Sequence, residues 1–310
     1  MPTVRRISVC GCGRRLTEYR IRGTEMPIAT IDGIKTNYQV TGSGTPLLML
    51  APGGFDSSIM RWSASGAWKE LQPLNALADQ FQVIAYDRRE AGDSGGRLEP
   101  LTWKCYVKQA TGLLDHLGIE SAYVLGGCMG VSVALAIGHM APKRVRGLLL
   151  HWPVGGYRWM HKGRGFFDSH IAYARQHGLA AALARAKELK TFWRGDSTGG
   201  PFSAALANDA ALADAFVKQD MAHYIRILER SRDTLFNDTM PSGASGEQVI
   251  NMQAPACIMS GNDSAHAHSA AVALRELLPK VQLSPIMPPQ QTGAAVGAWI
   301  RESVAWMQTQ

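Results

Sequence analysis

The sequence predicts an α/β fold: a mostly parallel central sheet flanked by helices, with a helical segment inserted into it. Three observations predict it. Short, wholly apolar runs such as residues 46–51 and 81–86 suit strands buried on both faces. Strands and helices alternate at crossover lengths, which calls for parallel pairing with helices on both sides. The alternation stops near residue 153 and resumes near 249, and the stretch between reads as helical.

Each element has its own signal. Residues 30–32 and 36–40 read as two short strands around a turn at Asp32-Gly33. The apolar run 46–51 is a strand that ends in Pro52-Gly53-Gly54. Residues 73–80 form a short helix with Pro73 in its first turn. The strand 81–86 runs into Asp87-Arg88-Arg89-Glu90. Leu101, Tyr106, Ala110, Leu113, Leu114 and Leu117 recur at helical spacing and stop at Gly118. A strand at 122–125, a helix at 129–140 ending before Pro142, and a strand at 145–150 follow. In the insertion, the alanine-rich stretches 179–190 and 204–218 read as helices. The alternation then continues as strand 256–260, helix 269–278, strand 281–284 and helix 295–307. The resulting organisation is a core of residues 26–152 and 249–310, an insertion of residues 153–248, and a basic leading segment, 1–25, outside the fold.

Composition narrows the function. The chain has 310 residues, 46% of them apolar and 18% charged, enough for a real core. No apolar run reaches the ~18–20 residues of a membrane helix, and no basic stripe interleaved with aromatics marks a nucleic-acid surface. Of the net charge of +7, residues 1–25 carry +4. Five cysteines in no paired spacing fit a reducing, cytoplasmic setting. Cys10-Gly-Cys12 has no second ligand pair, so no metal site is read, and Gly126-Gly127 with Gly130 lacks the G-x-G-x-x-G of a dinucleotide loop. No cofactor is therefore expected. The expected partner is a small-molecule substrate, and a homodimer is left open.

The most informative segment is Gly126-Gly127-Cys128-Met129-Gly130, where a strand passes directly into a helix. It reads as a nucleophile elbow with cysteine in place of serine. The turn is tight, so residues two before and two after the nucleophile must be small. The helix that follows points its N-terminus at the side chain, which favours a thiolate. The Met129 amide is one candidate donor to an oxyanion.

With these residues the chain resembles the α/β-hydrolase superfamily, in the branch of cap-bearing esterases, C–C hydrolases and epoxide hydrolases. The resemblance runs from about residue 28 to 306, the insertion corresponding to the family's helical cap. Residues 47–54 look like the family's strand ending in H-G-x, with Pro52 in the histidine slot, which implies the Gly54 amide as second oxyanion donor. Residues 87–94 look like its D-x-R-G-x-G-x-S loop, with Glu90 replacing a glycine. Residues 255–266 look like the strand that delivers the triad acid, which implies Asp263.

The expected general base is missing. No histidine follows His268, and Gln291 or Gln290 stands in the usual slot. Glutamine cannot take up a proton at neutral pH. Two histidines are candidates for its place: His151, at the end of a strand, and His266, three residues after Asp263. His268 reads as a helix start, His116 as a solvated helix face, and His139 as too distant. His161, His170, His177 and His223 belong to the insertion. Trp152 and Gln291 are candidate substrate contacts. A cysteine needs a base less than a serine does, because its thiol is partly ionised near neutrality. The expected function is therefore an enzyme with a Cys128 nucleophile acting on a small ester, thioester, lactone or activated carbonyl. A non-hydrolytic lyase and a catalytically inert binding protein on the same fold remain open.

Overall fold

The computed structural model describes residues 26–192, 195–238, 240, 241 and 243–310. The leading basic segment with Cys10 and Cys12, and Trp193, lie outside the described residues.

In chain order the strands are β1 (Ile28–Ile31), β2 (Ile34–Thr41), β3 (Thr45–Leu50), β4 (Phe81–Tyr86), β5 (Ala122–Gly127), β6 (Val145–His151), β7 (Ala256–Met259) and β8 (Val281–Leu283). The helices are α1 (Gly66–Leu71), α2 (Pro73–Ala76), α3 (Trp103–His116), α4 (Met129–Met140), α5 (Tyr157–Leu189), α6 (Ser203–Asn208), α7 (Ala210–Lys218), α8 (Met221–Leu235), α9 (Gly246–Ile250), α10 (His268–Leu277) and α11 (Gly293–Met307). The eight strands form one sheet in the order β1-β2-β4-β3-β5-β6-β7-β8. β1 and β2 pair antiparallel, as do β2 and β4, and every other pair is parallel.

The expected hairpin is present. Ile31 pairs with Ile34, and Asp32 and Gly33 both take positive φ, 50° and 72°. That is the geometry of a two-residue hairpin turn whose twist matches the strands. The central strands divide their side chains between two cores. Leu48 and Leu50 of β3 face α3 and α4, and Leu47 and Met49 face α11 and the tryptophans Trp62 and Trp68. All four are at most 3% exposed, and burying each stabilises the fold by roughly 1.5–3 kcal/mol. α4 is buried from Met129 to Gly138, which explains why its sequence is apolar all round.

Among the described residues between β6 and β7 there are five helices and no strand. The insertion is built differently from expectation in two places. The stretch 179–190 continues a longer helix, α5, broken only at Gly178 (φ 83°). The stretch 204–218 is two helices, because Asp209 leaves helical geometry and caps α7, accepting from the Leu212 N–H at 3.0 Å. The insertion docks on the sheet through aromatic rings. Phe55, after β3, meets Phe167 at 5.5 Å and Phe192 at 5.1 Å, spacings at which such pairs add to simple burial.

From β3 the chain steps to β4 on one side and then crosses back to β5 on the other, so the carboxyl ends of β3 and β5 border a crevice. Such switch points are where open α/β sheets place their sites.

Candidate functional site

Cys128 sits where β5 becomes α4, with φ 55° and ψ −123°. A residue with a side chain adopts this region only when its surroundings hold it there. The surroundings are visible. The Cys128 N–H donates to the His151 carbonyl at 3.0 Å, and the Cys128 carbonyl accepts from Val131 at 3.0 Å. A Cβ on Gly126 would lie 2.5 Å from the Gly130 oxygen, and one on Gly130 would lie 2.2 Å from the Leu50 oxygen. Both glycines are thus required by backbone crossing backbone, as the sequence spacing implied.

Two backbone N–H groups face the half-buried thiol, those of Met129 and Gly53. The sequence pointed to Met129 and Gly54. The Gly54 carbonyl accepts from Arg88 Nη2 at 2.6 Å, which fixes the loop in front of the elbow. Asp87 anchors the same region. It accepts from the backbone of Ile59 (2.7 Å) and Asp93 (2.8 Å) and from Asn37 (2.8 Å). Glu90, in the family's glycine slot, does take positive φ, 65°, and is held by an ion pair with Arg89 at 2.8 Å.

After β7 the chain turns through Asp263 to His266. Nδ1 of His266 lies 2.9 Å from both carboxylate oxygens of Asp263, and the backbone N–H groups of Ala265 and His266 donate to the same carboxylate. Burial works against the Asp263 charge, but these donors outweigh it and hold its pKa below the ordinary carboxylate value. The His266 Nε2 is buried and makes no hydrogen bond of regular geometry. The group it interacts with is the Cys128 thiol. Apo geometry at such pairs is often loose. Burial lowers the His266 pKa, yet Cys128 and Asp263 raise it further, to about 9. Burial raises the Cys128 pKa, and His266 with the two amides lowers it below its ordinary value.

A second histidine contact stands beside the first. Ser260, the residue after β7, places Oγ 3.0 Å from Nδ1 of His268, the first residue of α10. Ser260 is buried and His268 is exposed.

A family model described as the α/β hydrolase fold matches residues 46–167. The fold is the α/β-hydrolase fold. Over 253 residues the chain is 27% identical to the dihydrolipoyllysine-residue acetyltransferase component of an acetoin cleaving system from Cupriavidus necator, covering 78% of this chain and 59% of that protein. Over 124 residues it is 34% identical to a 2-hydroxymuconate semialdehyde hydrolase from a Pseudomonas species, covering 40% of this chain and 41% of that protein. The chain therefore spans less than two thirds of the length of these relatives. The structure of an enol-lactonase from Burkholderia xenovorans LB400 matches with a TM-score of 0.57 at 19% identity, over 92% of this chain and 100% of that one. That is a likeness of fold.

Within the α/β-hydrolase fold, the expectation of a cysteine-nucleophile hydrolase lacking its histidine is overturned. The Ser260–His268 hydrogen bond is a serine–histidine pair with its histidine intact, and His266 brings a second imidazole to the elbow. The reason the sequence misled is positional: both histidines come from the turn after β7, not from the segment after β8. His151 is not available as a base. It is buried against Trp68 (4.6 Å between ring centroids), stacked on Trp152 (5.6 Å) and tilted toward Trp299. Burial first, and the charge of His266 second, push its pKa down to about 3. Gln291 is not free for substrate either. It is buried and donates to the carbonyls of Ser260 and Ile286, both at 2.9 Å, and accepts from Trp152 Nε1 at 2.5 Å. Trp152 in turn presents its ring to His266 at 5.2 Å.

Among the described residues no group of three or more His, Cys, Asp or Glu side chains could hold a metal ion. Nor is any helix among them long and apolar enough to cross a membrane. Sequence reasoning missed the Ser260–His268 pair and the Gly53 amide. Ser260 carried a usable signal, since it ends the apolar run of β7 at the carboxyl edge where sites form.

Proposed function

We propose that this chain hydrolyses small esters or lactones, with a nucleophile that works through a histidine partner. The observation that carries the reading is a hydroxyl already bonded to an imidazole, Ser260 to His268 at 3.0 Å, at the carboxyl end of β7 in an α/β-hydrolase fold. An imidazole at that distance can take the nucleophile's proton as it attacks a carbonyl carbon, and return it to the departing alcohol. Cys128, His266 and Asp263 belong to the same proposed site. Asp263 holds the His266 ring, and the His266 imidazole interacts with the Cys128 thiol, which lowers the thiol's pKa and raises its own. The N–H groups of Gly53 and Met129 face the Cys128 thiol at the elbow. Two names among the similar proteins, a semialdehyde hydrolase and an enol-lactonase, support a small carbonyl substrate. The free thiols of Cys105, Cys128 and Cys257 support a reducing, cytoplasmic location.

The test is hydrolysis of p-nitrophenyl acetate and of small lactones by the wild type and by His266→Ala, His268→Ala, Ser260→Ala and Cys128→Ala. Peptide mass spectrometry of the acylated enzyme identifies the side chain that carries the acyl group. Hydrolysis lost by about 10²-fold or more on removing a histidine supports the reading. Hydrolysis untouched by both histidine changes overturns it.

A further inference from the structure

The geometry points to Gln291 and Trp152 as a positioning clamp that fixes the His266 ring against Asp263. The inference rests on the proposed site and adds residues that touch neither substrate nor reacting atoms. Gln291 stands where the resemblance expects a proton-accepting histidine, and its amide is fully committed. Both N–H donors are taken by main-chain carbonyls, of Ser260 after β7 and of Ile286 after β8. Its oxygen accepts from Trp152 Nε1 at 2.5 Å, across 139 residues of sequence. The amide thus ties two loops to one indole.

Trp152 is held in a strained backbone conformation. Its φ is 55°, in the left-handed region, which costs about 1–3 kcal/mol for a residue with a side chain. Its backbone N–H donates to the Met259 carbonyl at 2.7 Å and its ring stacks on His151. With the indole fixed at both ends, its ring lies against His266, tilted by 55° with centroids 5.2 Å apart. On the other side the backbone of residue 261 closes the space: a Cβ on Gly261 would fall 2.6 Å from the His266 Cβ and 3.1 Å from the Trp152 ring. His266 is therefore boxed by Trp152, Gly261 and Asp263, with Nε2 left toward the Cys128 thiol. Released from the indole, the ring can rotate away from Asp263, and misplacement by about 1 Å is enough to lose a factor of about 10² in rate.

The experiment uses Trp152→Phe, which keeps an aromatic ring without the N–H, Gln291→Met, which keeps the length without the amide, and the double variant. The first readout is the NMR titration of His266 in the free protein, which needs no substrate. The second is the pH profile of kcat and KM for ester hydrolysis. Circular dichroism establishes that each variant is folded. The clamp predicts a His266 midpoint lower in both single variants and a kcat lower by about 10- to 100-fold with KM within about threefold. It also predicts that the double variant is no worse than the worse single one, because both changes break the same bond. A His266 titration unchanged in both single variants overturns the clamp, as does full additivity in the double. If no ester or lactone is turned over, the proposed function falls while the titration still decides the clamp. If either variant fails to fold, Gln291→Glu keeps the acceptor to Trp152 and loses both donors, and the same titration applies.

Discussion

Asp263 holds His266 at three points and its neighbour Ala265 at a fourth: both carboxylate oxygens lie 2.9 Å from Nδ1, and the backbone N–H groups of His266 and Ala265 donate to one of them. A carboxylate gripped in this way cannot turn without dragging the ring with it. Asp263→Asn keeps the shape and removes the charge. The His266 pKa, raised to about 9 in the folded chain by Cys128 and Asp263 against burial, is expected to fall. Hydrolysis is expected to fall by about 10²- to 10⁴-fold. An NMR titration beside a steady-state assay checks both, and an unchanged midpoint would remove Asp263 from the site.

The Cys128 thiol offers a direct probe of its imidazole neighbour. Its pKa lies below the ordinary thiol value, burial opposing and His266 with two amides prevailing. Alkylation by iodoacetamide should therefore persist at pH values where Cys257, whose thiol burial pushes up, stays inert. In His266→Ala the cation is gone, so the Cys128 pKa rises and its alkylation rate near neutrality drops. A thiol titrating one pH unit higher holds about tenfold less thiolate below its midpoint. Peptide mass spectrometry across a pH series reads this, and a rate independent of His266 would mean that the amides alone set the thiol.

Stability should fall in mild acid because of His151. Its folded-state pKa is depressed to about 3 by burial and by His266, below the ordinary 6.5. The folded state then binds fewer protons than the unfolded one between those values. The stability this group contributes is complete above 6.5 and is lost as the pH falls through that range. His151→Phe keeps a ring among Trp68, Trp152 and Trp299 and should flatten the dependence of Tm on pH between about 6.5 and 4. A slope equal to wild type would show that other groups, such as buried His170, dominate.

The elbow glycines can be tested without any substrate. Gly130→Ala places a methyl 2.2 Å from the Leu50 oxygen, backbone against backbone, where nothing can yield cheaply. We expect a loss of about 2–4 kcal/mol in urea unfolding. Gly165→Ala, on α5 with open space around the new methyl, should be neutral or stabilising by up to about 1 kcal/mol. Equal effects at the two positions would contradict the close β3–α4 crossing.

Much of the fold is legible in the sequence because its signals are local. The limits of β4 and α4 can be read to the residue, since one is a pure apolar run and the other begins at a glycine turn and ends before Pro142. The break at Asp209 is not read, because the alanine-rich pattern continues on both sides of it and masks the cap. Among the candidate residues, Cys128 and Met129 are read from the elbow spacing and Asp263 only through the family resemblance, and Glu90 takes positive φ where the family has a glycine.

What the sequence determined by itself was the α/β class, the helical insertion and the strained turn at Cys128, all fixed by short-range pattern and by steric limits within a few residues. What only the tertiary structure decided was which groups meet there. His266, His268 and Ser260 arrive from the turn after β7, 132 or more residues beyond the elbow, and Gln291, in the slot of the missing base, lies against Trp152 instead. His151, adjacent to Trp152 in sequence, is sealed among rings. Proximity between distant segments depends on strand order and packing, and no local pattern encodes which side chain a folded sheet will set opposite another.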